Sequence, residues 1–225
     1  MNFAAIFHDR ADAGRALAKQ LDGHVGRHDV VVLALPRGGV PVGYHVAEAL
    51  GAPLDIFVVR KLGTPGHREL AMGAIASGGV RVLNDDVVRW LNIRPEQIES
   101  VAREEEQELI RREAAYKAGR PPVSLKDRVV ILVDDGLATG STMKAAVQAV
   151  KQHGPSRVIV AVPVGAPETC RDLREYADEV VCVSMPERFS AVGQWYERFD
   201  QTSDDEVREL LTRAAERSEP SMRTH

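Results

Sequence analysis

Cysteine is scarce: Cys170 and Cys182 are the two thiols among 225 residues. They are too few and too separated for a disulfide framework or a CxxC centre, so both read as buried small hydrophobes in a reducing, cytoplasmic setting. Aromatic residues make up 5% of the chain. No stretch of about 18 consecutive apolar residues occurs, and the N-terminus lacks a basic segment followed by an apolar run. Neither a membrane span nor an export signal is expected. Neither sign of charge dominates: 29 Lys and Arg face 33 Asp and Glu, for a formal net charge of −4. That balance supplies no global field for nucleic acid or an anionic membrane, and any phosphate binding must come from local clusters. None of the seven histidines stands at metal-ligand spacing, so no dedicated protein metal cage is expected. The phosphate loop GxxxxGK[ST] is also missing, because Gly136 and Gly140 are four apart and Ser141 follows where Lys would be required.

What is present alternates strand with helix. Apolar, β-branched runs predict core strands at Val30 to Leu35, Leu54 to Val59, Val129 to Val133, Arg157 to Val162 and Glu179 to Val183. Between them helices are expected at Val40 to Leu50, Ser141 to His153 and Pro167 to Tyr176, with Gly51 and Gly154 placed to end two of them. This order predicts an α/β fold, a mostly parallel five-stranded sheet flanked by helices, in one domain over residues 1–225.

The richest segment is VVILVDDGLATGST, Val129 to Thr142. A buried parallel strand delivers its C-terminal residues to the rim where open α/β sheets collect ligands. Asp134 and Asp135 stand at that end. Gly136, Leu137, Ala138, Thr139, Gly140, Ser141 and Thr142 can then curl so that backbone N–H groups and hydroxyls surround a phosphate at the start of the next helix. The acids cannot favour the same phosphate, so they suit another part of the ligand. Vicinal sugar hydroxyls fit, since charged hydrogen bonds contribute about 1.5–3 kcal/mol each. A second motif, LPRGGVPVG, follows the first strand and offers Arg37 as a forked cation beside Gly38 and Gly39, whose lack of a side chain permits special dihedrals and close approach. A third places Arg60 and Lys61 at the end of the second strand, where two cations repel unless an anion joins them. Gly63, Pro65 and Gly66 then suggest a mobile loop carrying His67, Arg68 and Glu69 at a solvated tip.

Strand, acid pair and small-residue loop in that order resemble the phosphoribosyl diphosphate signature of the type I phosphoribosyltransferases. The resemblance covers Val30 to Val183 and implies that family's fold, with a hood. It implies transfer of the 5-phosphoribosyl group from phosphoribosyl diphosphate to a nitrogenous base, with loss of diphosphate through an oxocarbenium-like transition state. Arg37-Gly38-Gly39 would grip the diphosphate. Arg60 and Lys61 would stabilise the departing charge with Mg2+ held mainly by substrate oxygens, and Asp134 and Asp135 would hold the ribose. A loop after the second strand closes during the reaction in the family, and His67 is available there for proton transfer. Purine-specific members carry a Lys soon after the last core strand. This chain instead has PERFSAVGQWYERF, which, with RGGVPVG and ELAMGA, resembles a bacterial subgroup of the family. The competing function class is a non-catalytic phosphoribosyl diphosphate or nucleotide-binding regulator.

Three appendages surround this core. Asp9 to Leu21 predicts a helix capped by Asp9, with Ala13, Leu17 and Leu21 in one stripe. Residues 84–120 predict a helical insertion entered at Pro95 and left near Gly119, Pro121 and Pro122. Its stripe of Ile98, Ala102, Leu109 and Tyr116 is interrupted by Glu105. The i,i+4 pairs Glu99/Arg103 and Glu108/Arg112 and the run Arg103 to Glu108 read as a solvated face, or as a contact in a homo-oligomer. Residues 184–217 form the hood segment: Phe189, Trp195, Tyr196 and Phe199 lie where a lid over the strand ends would be attached, and Phe189, Trp195 and Tyr196 each read as core packing first, or as a surface on which a planar base stacks. Residues 218–225 read as a disordered tail.

Overall fold

A computed structural model describes residues 6–117 and 119–218. Residues 219–225, most of the expected tail, lie outside it. Five strands, β1 Val30–Ala34, β2 Leu54–Ile56, β6 Val129–Val133, β7 Arg157–Val164 and β8 Glu179–Ser184, form a parallel sheet in the order β2-β1-β6-β7-β8. The register of β1 against β6 aligns Val30 with Val129 and Ala34 with Val133, so their C-terminal ends meet at one rim. Every residue of β1 and β6 is buried. The alternation of side chains divides them between two layers. Val31, Leu33, Val130 and Leu132 pack with α5 (Ser141–Lys151) and α6 (Pro167–Leu173). Val30, Val32, Val129 and Ile131 pack with α1 (Arg10–Ala18) and α2 (Gly39–Leu50). Asp9 caps α1 by accepting from the Asp12 N–H at 2.8 Å. A tighter 3-10 segment, Lys19–His24, then carries the end of the expected helix.

The expected second strand, Leu54 to Val59, ends early. β2 stops at Ile56, and Phe57 donates its N–H to the Ala34 carbonyl at 3.0 Å as the last tie to β1. Ser77 then takes over both polar groups of Val58: its hydroxyl accepts the N–H at 2.8 Å and its own N–H donates to the carbonyl at 2.9 Å. The chain therefore leaves the parallel sheet and enters a separate antiparallel sheet, β3 Val59–Thr64, β4 His67–Ala76 and β5 Val80–Leu83. The segment read as a mobile loop is largely this hairpin, with Pro65 and Gly66 at its turn and a register shift near Gly63.

The insertion forms α3 (Asp85–Trp90) and α4 (Pro95–Lys117). Its apolar stripe is buried: Ala102, Leu109 and Tyr116 pack with Ile56, Val58, Leu62, Met72 and Ile75. The charge run has specific partners as well. Glu105 meets Arg60, while Glu99 meets Arg81 at 2.6 Å instead of Arg103. The Glu108/Arg112 pair does form, at 2.8 Å. Lys117 at the end of α4 pairs with Asp55 of β2 at 3.0 Å, both side chains being largely buried. The C-terminal segment divides in two. A loop with a short turn at Val192–Trp195 lies near the sheet rim, and α7 (Asp204–Ser218) turns back to bury Val207 and Leu211 beside α4.

Candidate active site

Asp134 and Asp135 leave β6 at the rim with α2 beginning beside them. Here the value of Gly38 and Gly39 is space. Gly38 has an ordinary right-handed conformation, but a Cβ there would lie 2.1 Å from Asp135 Oδ2, and one on Gly39 would lie 2.8 Å from the Val133 carbonyl. Arg37-Gly38-Gly39 is thereby seated directly on the acid pair. The Pro36-Arg37 peptide is cis.

Asp134 turns Oδ1 toward the Asp135 N–H at 2.9 Å. Burial, and then the adjacent Asp135 charge, push its carboxyl well above the usual range. Burial raises Asp135 too, with Arg10 acting in opposition. Arg10 of α1 donates from Nε to Asp135 Oδ2 at 2.9 Å and has Nη2 2.8 Å from the same oxygen. Tyr196 donates its hydroxyl to the Asp135 carbonyl at 2.6 Å.

The following loop has two functional halves. Gly136 and Leu137 are buried anchors: Leu137 donates its N–H to Val164 O and accepts from Ala166 N–H, each at 2.9 Å, so its backbone is already used. Its place in a phosphate cradle is therefore structural. A Cβ on Gly136 would lie 2.6 Å from Val192, which sets the hood turn against the loop. Ala138, Thr139, Ser141 and Thr142 are exposed, and Gly140 takes a left-handed φ of 69° as α5 begins. Thr169 of α6 supports them from behind, its hydroxyl donating to Ala138 O at 2.6 Å. The sequence therefore places an outward-facing curl at a helix N-terminus, where backbone donors favour an anion.

The three expected cations do not converge. Successive side chains of a strand face opposite ways. Arg60 pairs with Glu105 of α4 at 2.6 Å, whereas Lys61 lines a cavity of about 680 Å3 with Ser141, Thr142 and Lys144 on the α5 side. Arg37 lies 3.5 Å from Asp204 of α7, whose carboxylate also accepts from the Tyr116 hydroxyl at 2.8 Å. His67 is exposed at the hairpin turn. Among the described residues no group of three or more His, Cys, Asp or Glu could enclose a metal ion.

Of the hood aromatics, Trp195 and Tyr196 are core residues with Phe7 and Val164, Phe189 stacks on Trp195, and Phe199 lies under Arg10. The N-terminal segment zips to this stretch: Phe7 N–H donates to Trp195 O at 3.0 Å and Glu197 N–H to Phe7 O at 2.9 Å. Cys170 is buried and Cys182 half-buried; both sulfurs lie beside Gly165, and the Cys182 thiol donates to Ser184 O at 3.1 Å. Arg10 is the principal residue that sequence reasoning missed. Its signal is a cation in the first position of a helix, where the helix dipole favours acids.

No helix among the described residues is long and apolar enough to cross a membrane. A family model described as the phosphoribosyl transferase domain matches residues 4–200. Rv0571c of Mycobacterium tuberculosis, whose name describes a phosphoribosyl transferase, is 52% identical over 209 residues, covering 93% of this chain and 47% of that protein. The chain thus spans about half the length of such curated relatives. The crystal structure of TT1426 from Thermus thermophilus superposes with a TM-score of 0.83 and 43% identity, covering 92% of this chain and 98% of that one. The bifunctional protein PyrR of Streptococcus gordonii is 54% identical over 44 residues, 19% of this chain and 25% of its own length. With the parallel sheet, the acid pair and the loop at one rim, these matches establish that the chain belongs to the phosphoribosyl transferase domain family.

Proposed function

We propose that this chain transfers the 5-phosphoribosyl group from phosphoribosyl diphosphate to a nitrogenous base, in the cytoplasm. The observation that carries this reading is the seating of Arg37-Gly38-Gly39 on Asp135 beside an outward-facing loop at the start of α5. One rim then offers an anion cradle at 138–142, two carboxylates for a sugar, and a small-residue turn for a second anion. In the reaction the bond from ribose C1 to the diphosphate oxygen breaks, its electron pair leaves with the diphosphate, and the base nitrogen bonds to C1 with its own lone pair while its proton passes to solvent. Asp134 and Asp135 accept from the ribose hydroxyls and offset the positive charge growing on the ring. Gly38 and Gly39 let this turn sit directly on the acid pair, and Arg37 reaches the diphosphate on leaving Asp204. Lys61 is the strand β3 cation on the side of the loop, whereas Arg60 is held by Glu105 on the other face, so the departing charge is assigned to Arg37 and Lys61.

Mg2+ fits as the substrate's companion. The donor set is an acid pair already committed to Arg10 and a backbone N–H, so the ion would rest chiefly on diphosphate, ribose and water oxygens, near Asp134 and Asp135. When bound it neutralises charge on the leaving group.

The test is a nucleobase screen with phosphoribosyl diphosphate and Mg2+, scored by diphosphate release. Turnover with at least one base supports the reading, and calorimetric binding without turnover on any base would favour a regulator. Once an acceptor is known, Lys61→Met should lower single-turnover diphosphate release about tenfold or more at saturating ligand, the weight of one charged contact in the transition state. Weaker binding with an unchanged rate would remove Lys61 from catalysis.

A further inference from the structure

We infer that Arg10 is a positioning residue for the ribose-binding acid pair: from the first turn of α1 it grips one oxygen of Asp135 and fixes the other for a sugar hydroxyl. This rests on the functional reading above. The Arg10 and Asp135 side chains are 13% and 15% exposed. Both fork contacts fall on Oδ2, and a Cβ on residue 38 would strike that same oxygen. Oδ2 is therefore enclosed between the guanidinium and the Gly38 backbone, which assigns Oδ1 to the ligand.

Arg10 is itself held from three sides. Its Nη1 donates to Asp200 O at 2.7 Å, and its guanidinium carbon lies 3.9 Å from the centre of the Phe199 ring. Phe199 in turn leans on Tyr196, with centroids 5.0 Å apart, and Tyr196 binds the Asp135 carbonyl. A planar, forked cation clamped between a ring and a carbonyl aims a carboxylate in a way that a flexible ammonium cannot. The groups facing Asp135 are Asp134 beside it, Arg10 from α1 and Tyr196 from the C-terminal segment. Arg37 directs its guanidinium to Asp204 instead. Arg10 is thus the cation that opposes the upward push of burial on a shielded carboxylate next to a second acid. It also explains why a basic residue occupies a helix position that ordinarily favours an acid.

The experiment compares the wild type, Arg10→Gln, Arg10→Lys, Asp135→Asn and the Arg10→Gln/Asp135→Asn double variant. One readout needs no ligand: the Asp135 carboxyl carbon, titrated by NMR, should move up by about 1–3 pH units in Arg10→Gln, because an opposite charge at this range lowers a carboxyl by that much. Arg10→Lys should return most of that shift. The second readout is calorimetric affinity for phosphoribosyl diphosphate with Mg2+. Arg10→Gln should weaken it about tenfold or more, the value of one charged hydrogen bond, and move its acid limb to higher pH. Arg10→Lys should recover the acid limb but only part of the affinity. In the Asp135→Asn background the Arg10 substitution should add little.

Unchanged or tighter binding in Arg10→Gln would overturn the proposal, the latter marking Arg10 as a lock that competes with ribose. So would a full-sized loss that persists without Asp135. If Arg10→Gln does not fold, Arg10→Lys decides: affinity equal to the wild type removes the positioning role. A wild type that does not bind phosphoribosyl diphosphate would remove the functional reading itself, and the ribose role with it. Wild-type binding with an indifferent Arg10 removes only Arg10.

Discussion

At the scale of single residues, Asp134 holds its carboxyl against the Asp135 N–H, half-buried and next to a second acid. Its folded value lies above the ordinary 3.8, so the fold favours the protonated form. The sign follows from linkage: Asp134 favours the folded state below about 3.8, and that contribution is lost as pH rises through the raised folded value, leaving a penalty at neutral pH. Asp134→Asn, which keeps an oxygen for the Asp135 N–H, should therefore stabilise the unliganded protein at pH 7 by about 0.5–2 kcal/mol. Urea melts from pH 4 to 8 should show the gain growing with pH. Affinity for phosphoribosyl diphosphate should fall by about 1.5–3 kcal/mol at the same time, the usual value of a charged hydrogen bond. A variant less stable than the wild type at pH 7 would show that the charge is not penalised. The acid pair and small-residue loop were legible because a strand, two acids and a curl have one sensible arrangement. Arg10 was not, because its partner lies 125 positions away.

At the scale of elements, the alternation of a strand decides more than the identity of its residues. Arg60 and Lys61 are adjacent in sequence, yet β3 sends one to α4 and the other to the α5 side. The insertion shows the converse case, in which Glu105 interrupts an apolar stripe because that point of the helix meets Arg60. At its far end α4 is tethered through Lys117 to Asp55, and Asp55 Oδ1 also accepts from the Ile56 N–H at 2.8 Å. Lys117→Met should leave that carboxylate buried without its cation and destabilise the protein by about 1–3 kcal/mol. Adding Asp55→Asn should recover part of the loss, since removing both charges costs less than stranding one. A double-mutant cycle by chemical denaturation measures the coupling. Strict additivity would mean that the pair contributes nothing beyond packing.

At the scale of the whole molecule, one apolar cluster joins β2, the antiparallel sheet, α4 and α7, so the appendages stabilise one another around the parallel core. Ending the chain before Asp204 would uncover the surfaces that meet Val207 and Leu211, fully or nearly fully buried at 0% and 3% exposure. Burying two such side chains is worth about 3–6 kcal/mol, and that is the expected loss in a calorimetric melt. A truncated chain as stable as the full one would show that α7 merely rests on the surface. The parallel sheet, its layers and the rim bearing the acid pair were written in the chain, because β-branched runs, helix periodicity and turn residues act locally and agree with one another. Three-dimensional packing decided that Arg60 turns to Glu105 and Arg37 to Asp204, that Leu137 is an anchor, that the suspected loop is a hairpin, and that Arg10 holds Asp135. Each of those depends on where two distant segments meet, and an ion pair or a shared backbone hydrogen bond leaves no period or composition in the chain to announce its partner.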